Sequence, residues 1–325
     1  MKARGPVFCR WLAAAALAAI CGAAVAQTYP SKPIRFFLPF APGGIGDLTA
    51  RLVAQKMSEN LGQQVVVDNK PSAGMILSAT AGLQAPADGY TMVLAGNGTA
   101  ISATLFKSLP YSILTDFTQV STLAAFDLVV LVPPDSRFAS LGEVVAFGKN
   151  NPGKLNLGTV SIGSTQNLSA ELFKSVTGID AQIVPFKGTP SLIAALRSNS
   201  IDVVFEFVPP MLSQIRGSTV KALAIASAKR FPGLPATPTT AESGLPAFQV
   251  SSWNAVSVRA NTSRAIVDRL NREIVAALNS PEVKQKLQDL GAEARPSTPE
   301  QTRELMVSEI ARWKAVIERA NIPRQ

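Results

Sequence analysis

The chain has 325 residues, with 31 Lys and Arg against 22 Asp and Glu, and it contains no histidine. Its two cysteines, Cys9 and Cys21, both lie near the N-terminus. The composition therefore excludes Ser-His-Asp and Cys-His catalysis, imidazole-dependent zinc sites and a small disulfide scaffold, and we predict no metal and no cofactor. Its basic residues are scattered rather than clustered, which argues against nucleic-acid binding, while a positive field helps to attract anionic small molecules.

Residues 1–26 have the pattern of a secretory signal peptide. Three basic residues open the segment, an alanine-rich apolar run follows, and Ala24-Val25-Ala26 supplies a small-residue cleavage site. We predict export and cleavage after Ala26. The mature chain then starts at Gln27, lacks cysteine and carries a net charge near +6, since the signal removes three of the 31 basic residues.

The first segment of the mature chain predicts a strand, a glycine-rich turn and a helix. Ile34 to Leu38 is a short apolar run with two aromatics, which is typical of a buried strand. Residues 41–46 contain proline and three glycines, and a helical pattern follows with Asp47 as its predicted N-cap. A helix N-terminus after such a turn suits an anion, because its first N–H groups are unpaired. A tight connection between strand and helix explains the same residues equally well.

The next elements repeat the alternation. The sequence predicts a strand at 64–68, a helix at 75–83, a strand at 90–95 and a polar loop at 96–99. Alternating strands and helices indicate a parallel sheet covered on both faces, whose ligands bind beyond the carboxyl ends of the strands. Loops 41–46 and 96–99 both fall at that edge, so Asn97 and Thr99 are candidate binding residues.

A second strand–helix series begins near residue 127. Its predicted elements, and those of the C-terminal part, are strands at 127–133, 155–160, 183–186, 201–207, 223–226 and 250–258, and helices at 141–150, 168–176, 263–278, 281–290 and 299–320. The segment Ser161 to Asn167 opens one of these helices with hydroxyls around a glycine, which suits a carboxylate or phosphate. Ordinary N-capping explains Ser164 alone. Two such helix starts, one in each half of the chain, favour binding.

The C-terminal part adds two expectations. Trp253, in the strand at 250–258, is either an aromatic wall of the site or a core residue. The last helix opens with the capping box Thr298-Pro299-Glu300-Gln301, and its predicted buried stripe is Met306, Ile310, Trp313 and Ile317.

Glu206 is the most unusual charged residue in this pattern. It lies near the end of a strand that is otherwise almost wholly apolar, where a carboxylate is costly unless it has a partner. Two interpretations stay open: Glu206 pairs with Lys187, or it determines ligand specificity.

The order of elements predicts two α/β lobes. The strand–helix series in the middle of the chain is flanked by patterns that do not fill a sheet alone. We therefore assign residues 27–124 with 222–325 to one lobe and residues 125–221 to the other. Two crossings of the chain join these lobes, and each lobe is built on a parallel sheet.

Several ordered motifs resemble a known family, the extracytoplasmic solute receptors of tripartite tricarboxylate transporters, or Bug proteins. The matching residues span the mature chain and include Lys32-Pro33-Ile34-Arg35, Pro42-Gly43-Gly44, Asp47, Ala50-Arg51, Asp88-Gly89-Tyr90-Thr91, Gly163-Ser164, Pro185-Phe186-Lys187-Gly188 and Ala228-Lys229-Arg230. The chain departs from the family after Gly163-Ser164, where it has Thr165-Gln166-Asn167 in place of a frequent histidine. It has Glu206 near a position that is often Asp.

The resemblance implies a two-lobed periplasmic binding protein, type II-like, that closes on a small organic acid or other carboxylated metabolite. It delivers this ligand to the membrane permease subunits of a tripartite transporter, acts without catalysis and is expected to be a monomer. The implied first-lobe site is the turn from Phe40 to Asp47, including Pro42, Gly43, Gly44 and Ile45. The implied second-lobe site is Gly163, Ser164 and Thr165, to which the helix-start pattern adds Asn167, and Lys187 and Glu206 complete the candidate set.

Three rival functions share some of these sequence features. Gly44-Ile45-Gly46 after a strand, with Asp68 further on, begins a dinucleotide-binding fingerprint, but Thr49 stands where the third glycine belongs. A hydrolase lacks an evident general base without histidine. A sensory co-receptor that binds the same ligand but signals instead of feeding a permease has the same sequence features, and neighbouring genes would separate the two.

Overall fold

The structure, a computed structural model, describes residues 29–319 and 321–325. Residues Lys32–Gln325 form one compact unit. Of the preceding unit, Met1–Ser31, only Tyr29 to Ser31 are described, and the Tyr29–Pro30 peptide bond is cis. The predicted signal peptide and its cleavage after Ala26 lie outside the described residues.

Strands and helices alternate through most of the compact unit. The strands are β1 (Ile34–Leu38), β2 (Val65–Asn69), β3 (Thr91–Gly96), β4 (Phe117–Val132), β5 (Asn156–Val160), β6 (Gln182–Phe186), β7 (Val203–Phe207), β8 (Lys221–Ile225), β9 (Ser251–Arg259) and β10 (Glu293–Ala294). The helices are α1 (Ile45–Leu61), α2 (Ile76–Gln84), α3 (Asn97–Leu105), α4 (Leu141–Asn150), α5 (Thr165–Thr177), α6 (Thr189–Arg197), α7 (Val208–Arg216), α8 (Arg264–Asn279), α9 (Pro281–Leu290) and α10 (Pro299–Arg319), with a short 3₁₀ turn at Ala73–Met75.

All ten strands of the described residues belong to one continuous, mixed sheet. Its order is β2-β1-β3-β9-β4-β7-β5-β6, with β8 and β10 also pairing with β4. The outer pairs β1–β2, β1–β3, β5–β6 and β5–β7 are parallel, as the alternation predicts. At the centre, β9 runs antiparallel to β3 and to β4.

The long strand β4 divides the sheet into two halves. Its residues Phe117 to Asp127 pair with β9, while Leu128 to Val132 pair with β7 and β8. We call β1, β2, β3, β9 and β10 with their helices the first half, and β5 to β8 with theirs the second half. The predicted two-lobed α/β class is confirmed.

The chain crosses between the halves twice, at Asp127–Leu128 within β4 and between Ile225 and Ser251. Three backbone hydrogen bonds tie the crossings together: Leu128 N to Val250 O (3.2 Å), Ala226 N to Leu128 O (2.8 Å) and Val250 N to Ala226 O (2.9 Å). Because β8 pairs with the second-half part of β4, residues 221–225 lie with that half. The lobe boundaries 27–124 with 222–325 and 125–221 stay a prediction.

The C-terminal helix packs as its sequence predicts. Thr298 and Gln301 form the expected reciprocal cap, with Thr298 N to Gln301 Oε1 at 3.0 Å and Gln301 N to Thr298 Oγ1 at 3.2 Å. Met306, Trp313 and Ile317 of its predicted apolar stripe are buried, whereas the fourth member, Ile310, is half-buried. No helix within the described residues combines the length and the apolarity needed to cross a bilayer.

Some local predictions were wrong. Residues 97–99 are the first turn of α3, not a loop, because Thr99 Oγ1 accepts the N–H of Gly96 and closes the helix start at 3.1 Å. Strand β4 begins ten residues earlier than predicted, and α7 was not predicted because two prolines occupy its first turn, where proline is tolerated. Asp47 is not an N-cap: Gly44 occupies that position and Asp47 lies three residues further along.

Candidate functional site

A cavity of about 50 Å³ lies between the two halves, at the carboxyl ends of β1, β3, β5 and β7. Its lining combines apolar groups with neutral polar ones, and no Lys, Arg, Asp or Glu of the described chain contributes to it. The lining residues are Pro39, Phe40, Ala41, Gly44, Ile45, Gly46, Met75, Leu94, Ala95, Gly96, Asn97, Gly98, Phe126, Val160, Thr165, Gln166, Gly188, Thr189, Phe207, Ser252, Trp253 and Asn254.

Five helices begin at this cavity. The first or capping residues of α1, α3, α5, α6 and α7 all line it, namely Gly44, Gly96, Thr165, Gly188 and Phe207. The first N–H groups of a helix have no partner within the helix, and its dipole places partial positive charge at that end. Pro190 in α6 and Pro209 and Pro210 in α7 have no N–H, so these two ends act more through the dipole than through donors. Together the five ends give the cavity a positive potential without a formal charge, which suits an anion.

Asp47 shapes the turn between β1 and α1. It is 3% exposed, and its carboxylate accepts the N–H of Gly43 at 3.1 Å, Nε of Arg51 at 3.0 Å and Nδ2 of Asn69 at 3.0 Å. The same Asn69 amide donates to the carbonyl oxygen of Phe40 at 2.9 Å. Asp47 therefore holds both sides of the turn from behind the cavity instead of reaching into it.

Asn97 connects the C-terminal helix to the other half of the protein. The indole Nε1 of Trp313 donates to Asn97 Oδ1 at 2.6 Å, and Asn97 Nδ2 donates to Thr165 Oγ1 at 3.2 Å. An indole can only donate, so it fixes which end of the Asn97 amide faces Thr165. Thr165 in turn contacts Ser252 Oγ at 3.3 Å.

Other contacts also join the halves directly. Ser102 Oγ donates to Gly163 O at 3.3 Å, and Gly74 N donates to Ile162 O at 3.4 Å. Gly163 has φ +82°, and a Cβ there would lie 2.8 Å from Ser102 Oγ, so a side chain would be both strained and crowded. The cavity is therefore enclosed by halves that are in contact.

The predicted helix start in the second half is built mainly by internal capping. Ser164 Oγ accepts the N–H of Asn167 and donates to Val160 O, both at 3.1 Å. Asn167 Nδ2 donates to Thr159 Oγ1 at 3.3 Å. Ser164 and Asn167 position the first turn of α5, whereas Thr165 and Gln166 line the cavity.

Glu206 is buried directly behind the second-half wall. It is 1% exposed and accepts hydrogen bonds from Gln166 Nε2 (2.7 Å), Thr189 Oγ1 (2.8 Å) and its neighbour's N–H at Phe207 (2.8 Å). Burial raises the pKa of this carboxyl above its ordinary value, although the three hydrogen bonds favour the charged form. The alternative of a Glu206–Lys187 ion pair is not formed in the described chain, where Lys187 is exposed.

The structure brings only part of the predicted set together. The residues that line the cavity are Phe40, Gly44, Ile45, Asn97 and Thr165. The residues that lie behind or beside it are Pro42, Gly43, Asp47, Thr99, Gly163, Ser164, Asn167, Lys187 and Glu206. Sequence reasoning missed Gln166, Thr189, Ser252 and Asn254 as lining residues, and it left Trp253 open between an aromatic wall and the core. Ser252, Trp253 and Asn254 reach the cavity through the pairing of β9 with β3 and β4, whereas Gln166 and Thr189 lie at the starts of α5 and α6.

Two lining residues carry polar atoms with no partner. Trp253 Nε1 and Asn254 Nδ2 are buried and make no hydrogen bond within the described chain. Asn254 Oδ1 accepts the N–H of Ala124 at 3.2 Å, so the amide orientation is fixed and Nδ2 is the free end. Buried donors are rarely left unpaired, so these two are the candidate side-chain donors for a bound molecule.

The comparisons with known proteins agree with this architecture. Residues 49–322 match the family described as the tripartite tricarboxylate transporter family receptor. This chain belongs to that receptor family. The predicted resemblance to Bug proteins is thereby confirmed, and members of the family are periplasmic receptors that bind solutes rather than transform them.

Three similar proteins illustrate the relationship. Protein BugT of Bordetella pertussis is 36% identical over 304 residues, which cover 93% of this receptor and 93% of BugT. A solved R. palustris protein with adipate is 31% identical, with a TM-score of 0.87 over 91% of this chain and 99% of the other. MatC from Rhodopseudomonas palustris with bound malate is 32% identical, with a TM-score of 0.85 over 89% of this chain and 100% of MatC.

The receptor's geometry also removes the basis of the dinucleotide alternative. Asp68, the residue expected to bind a ribose, forms ion pairs with Arg35 at 3.1 Å and Lys70 at 3.1 Å. Neither Asp68 nor its partners line the cavity.

Proposed function

We propose that this receptor captures a small carboxylated metabolite in the periplasm and delivers it to the permease subunits of a tripartite transporter. The observation that carries the proposal is the convergence of five helix N-termini on a cavity whose described lining has no charged side chain. Such a site stabilises a carboxylate through backbone N–H groups and helix dipoles. The adipate and malate bound to two similar proteins support the same ligand class.

The proposed function also includes export, removal of the signal peptide and closure on the ligand. Export with cleavage after Ala26 releases a mature chain that starts at Gln27, and the mature receptor works as a monomer without catalytic function. The first half moves as one lobe against the second half, hinged at the two crossings. A ligand that contacts both lobes favours the closed form by its higher affinity for it.

A thermal-shift panel tests the ligand class. It contains mono-, di- and tricarboxylates, amino acids, amides and neutral sugars, each at saturating concentration. We expect carboxylates to raise the melting temperature, since a ligand at a hundredfold excess over its Kd stabilises by about 2.7 kcal/mol. Small-angle scattering should show compaction with the best carboxylate. Stabilisation by neutral sugars alone would overturn the proposal.

A further inference from the structure

The two walls of the cavity differ in whether their free side-chain groups are hydrogen-bond donors or acceptors. Glu206 is the cause of this difference. The carboxylate of Glu206 accepts hydrogen bonds from the amide NH₂ of Gln166 and from the hydroxyl of Thr189. Both of these residues line the cavity. Glu206 therefore controls which polar atoms the second-half wall has left for a ligand.

The N-termini of α5, α6 and α7 lie on this wall, but its side chains leave only a pair of acceptors. The amide of Gln166 has its donor end at Glu206, so the free end is the carbonyl Oε1, to which no described residue donates. The hydroxyl of Thr189 has one proton, already given to Glu206, and its remaining lone pairs can only accept. A buried carboxylate without a cationic partner in the described chain stands directly behind both.

The first-half wall has the opposite character. Its free side-chain groups are the two unpartnered donors, Trp253 Nε1 and Asn254 Nδ2, and Asn254 is 4% exposed. The N-termini of α1 and α3 add backbone N–H groups on the same side. The free side-chain donors are therefore on the first-half wall, whereas the free side-chain groups of the second-half wall are acceptors with the Glu206 carboxyl behind them.

We infer that the ligand carries one carboxylate, which faces Trp253 and Asn254, and a hydrogen-bond donor at its other end, an ammonium or amide N–H, which faces Gln166 and Thr189. The inference rests on the proposed function and narrows it. It distinguishes this receptor's ligand from a plain dicarboxylate, whose second carboxylate would meet two acceptors and the charge of Glu206.

Isothermal titration with matched compounds tests the inference. The four-carbon set is butanoate, succinate, succinamate and 4-aminobutanoate, and a six-carbon set contains hexanoate, adipate, adipamate and 6-aminohexanoate. We expect succinamate or 4-aminobutanoate, or their six-carbon equivalents, to bind at least about tenfold more tightly than the dicarboxylate of the same length. A dicarboxylate that binds as tightly overturns the inference and leaves the proposed function standing. If no carboxylate in either set or in the wider panel binds, the proposed function fails as well.

Glu206→Gln is the decisive variant. The new amide oxygen can accept from Gln166 and Phe207, and its NH₂ can donate to Thr189, so all three hydrogen bonds survive and the Thr189 proton turns toward the cavity. We expect the preference for donor-bearing ligands to shrink about tenfold or to reverse. An unchanged preference in a variant that melts normally would contradict the role of Glu206.

Two further variants test the two walls separately. Thr189→Val removes one acceptor and should weaken donor-bearing ligands about tenfold while succinate and adipate lose nothing. Trp253→Phe removes one donor from the opposite wall and should weaken all carboxylates by a similar factor without changing their ranking. A Thr189→Val variant that weakens every ligand equally, or a Trp253→Phe variant that weakens none, overturns the assignment of the two walls.

Discussion

Two buried carboxylates stand behind the cavity, Asp47 in the first half and Glu206 in the second, and they differ in how their charge is balanced. Asp47 has the guanidinium of Arg51 at 3.0 Å and organises a turn. Glu206 has only neutral donors from Gln166, Thr189 and Phe207. The charge of Asp47 is thus compensated locally, whereas no cation of the described chain balances the Glu206 carboxyl. Equal burial does not imply an equal role.

Removing the first carboxylate should have the largest effect on stability. Asp47→Ala leaves the N–H of Gly43 and the amide of Asn69 without their acceptor, so we expect the free energy of unfolding to fall by about 3 kcal/mol. Most of this comes from the buried hydrogen bonds, because Arg51 is half-exposed and its ion pair is screened. Urea unfolding measures the loss. Asp47→Asn, which retains one acceptor, should lose less, and a near-wild-type Asp47→Ala would show that the turn does not depend on this carboxylate.

The second carboxylate, Glu206, should make the free energy of unfolding depend on pH. Burial raises the folded-state pKa of Glu206 above its unfolded value, so between the two values the folded protein binds the extra proton. As pH falls from the folded-state pKa to the unfolded one, wild type should gain stability relative to Glu206→Gln. The gain is about 1.4 kcal/mol for each unit between the two pKa values, and it levels off below the unfolded value. Urea unfolding of both proteins from pH 8 to pH 4 measures it, and a constant difference would show that Glu206 titrates normally.

The contact between the two halves offers a third test. Gly188 has an extended φ of 178°, so alanine fits its backbone, but the new Cβ would lie 2.8 Å from Cβ of Ala41 across the cavity. Gly188→Ala should disfavour the closed form and weaken the best-binding carboxylate about tenfold, with little change in the unfolding of the free protein. Gly142→Ala is the matched control, since its new Cβ meets only Ser140 Oγ at 3.8 Å. Equal affinities for both variants would mean that this contact does not contribute to closure.

Sequence reasoning reached the architecture because its signals are local. Alternating apolar runs, proline and glycine turns and caps such as Thr298 with Gln301 are each contained within a few residues, and they predicted most strands and helices to within two or three positions. The turn from Phe40 to Asp47 was found for the same reason: a strand, a glycine-rich loop and a helix are adjacent in the chain.

The inner surface of the site was harder to predict because it depends on distant pairings. Trp253 and Asn254 reach the cavity only because β9 pairs with β3 and β4, more than 120 residues away in sequence. Gln166 and Thr189 face inward because Glu206 holds their donor groups. The bond from Trp313 to Asn97 joins residues 216 positions apart. Residue type suggested none of these relationships, although the unusual burial of Glu206 was visible in the apolar strand around it.

Arg51→Ala has the smallest expected effect, but it tests the comparison of Asp47 with Glu206 most directly. Without Arg51, Asp47 becomes a buried carboxylate with neutral donors only, as Glu206 is. The variant leaves the buried carboxylate with the N–H of Gly43 and the amide of Asn69 but without its cation. The uncompensated charge then lies behind the turn that starts α1, so carboxylate affinity should fall about two- to fivefold at low ionic strength and partly recover in salt. Titration of the best-binding carboxylate at two salt concentrations measures this. Arg51→Lys, which keeps the charge but not the fork geometry, should lose less. If Arg51→Ala bound carboxylates as well as wild type, the pairing of Asp47 would not be what separates the two walls.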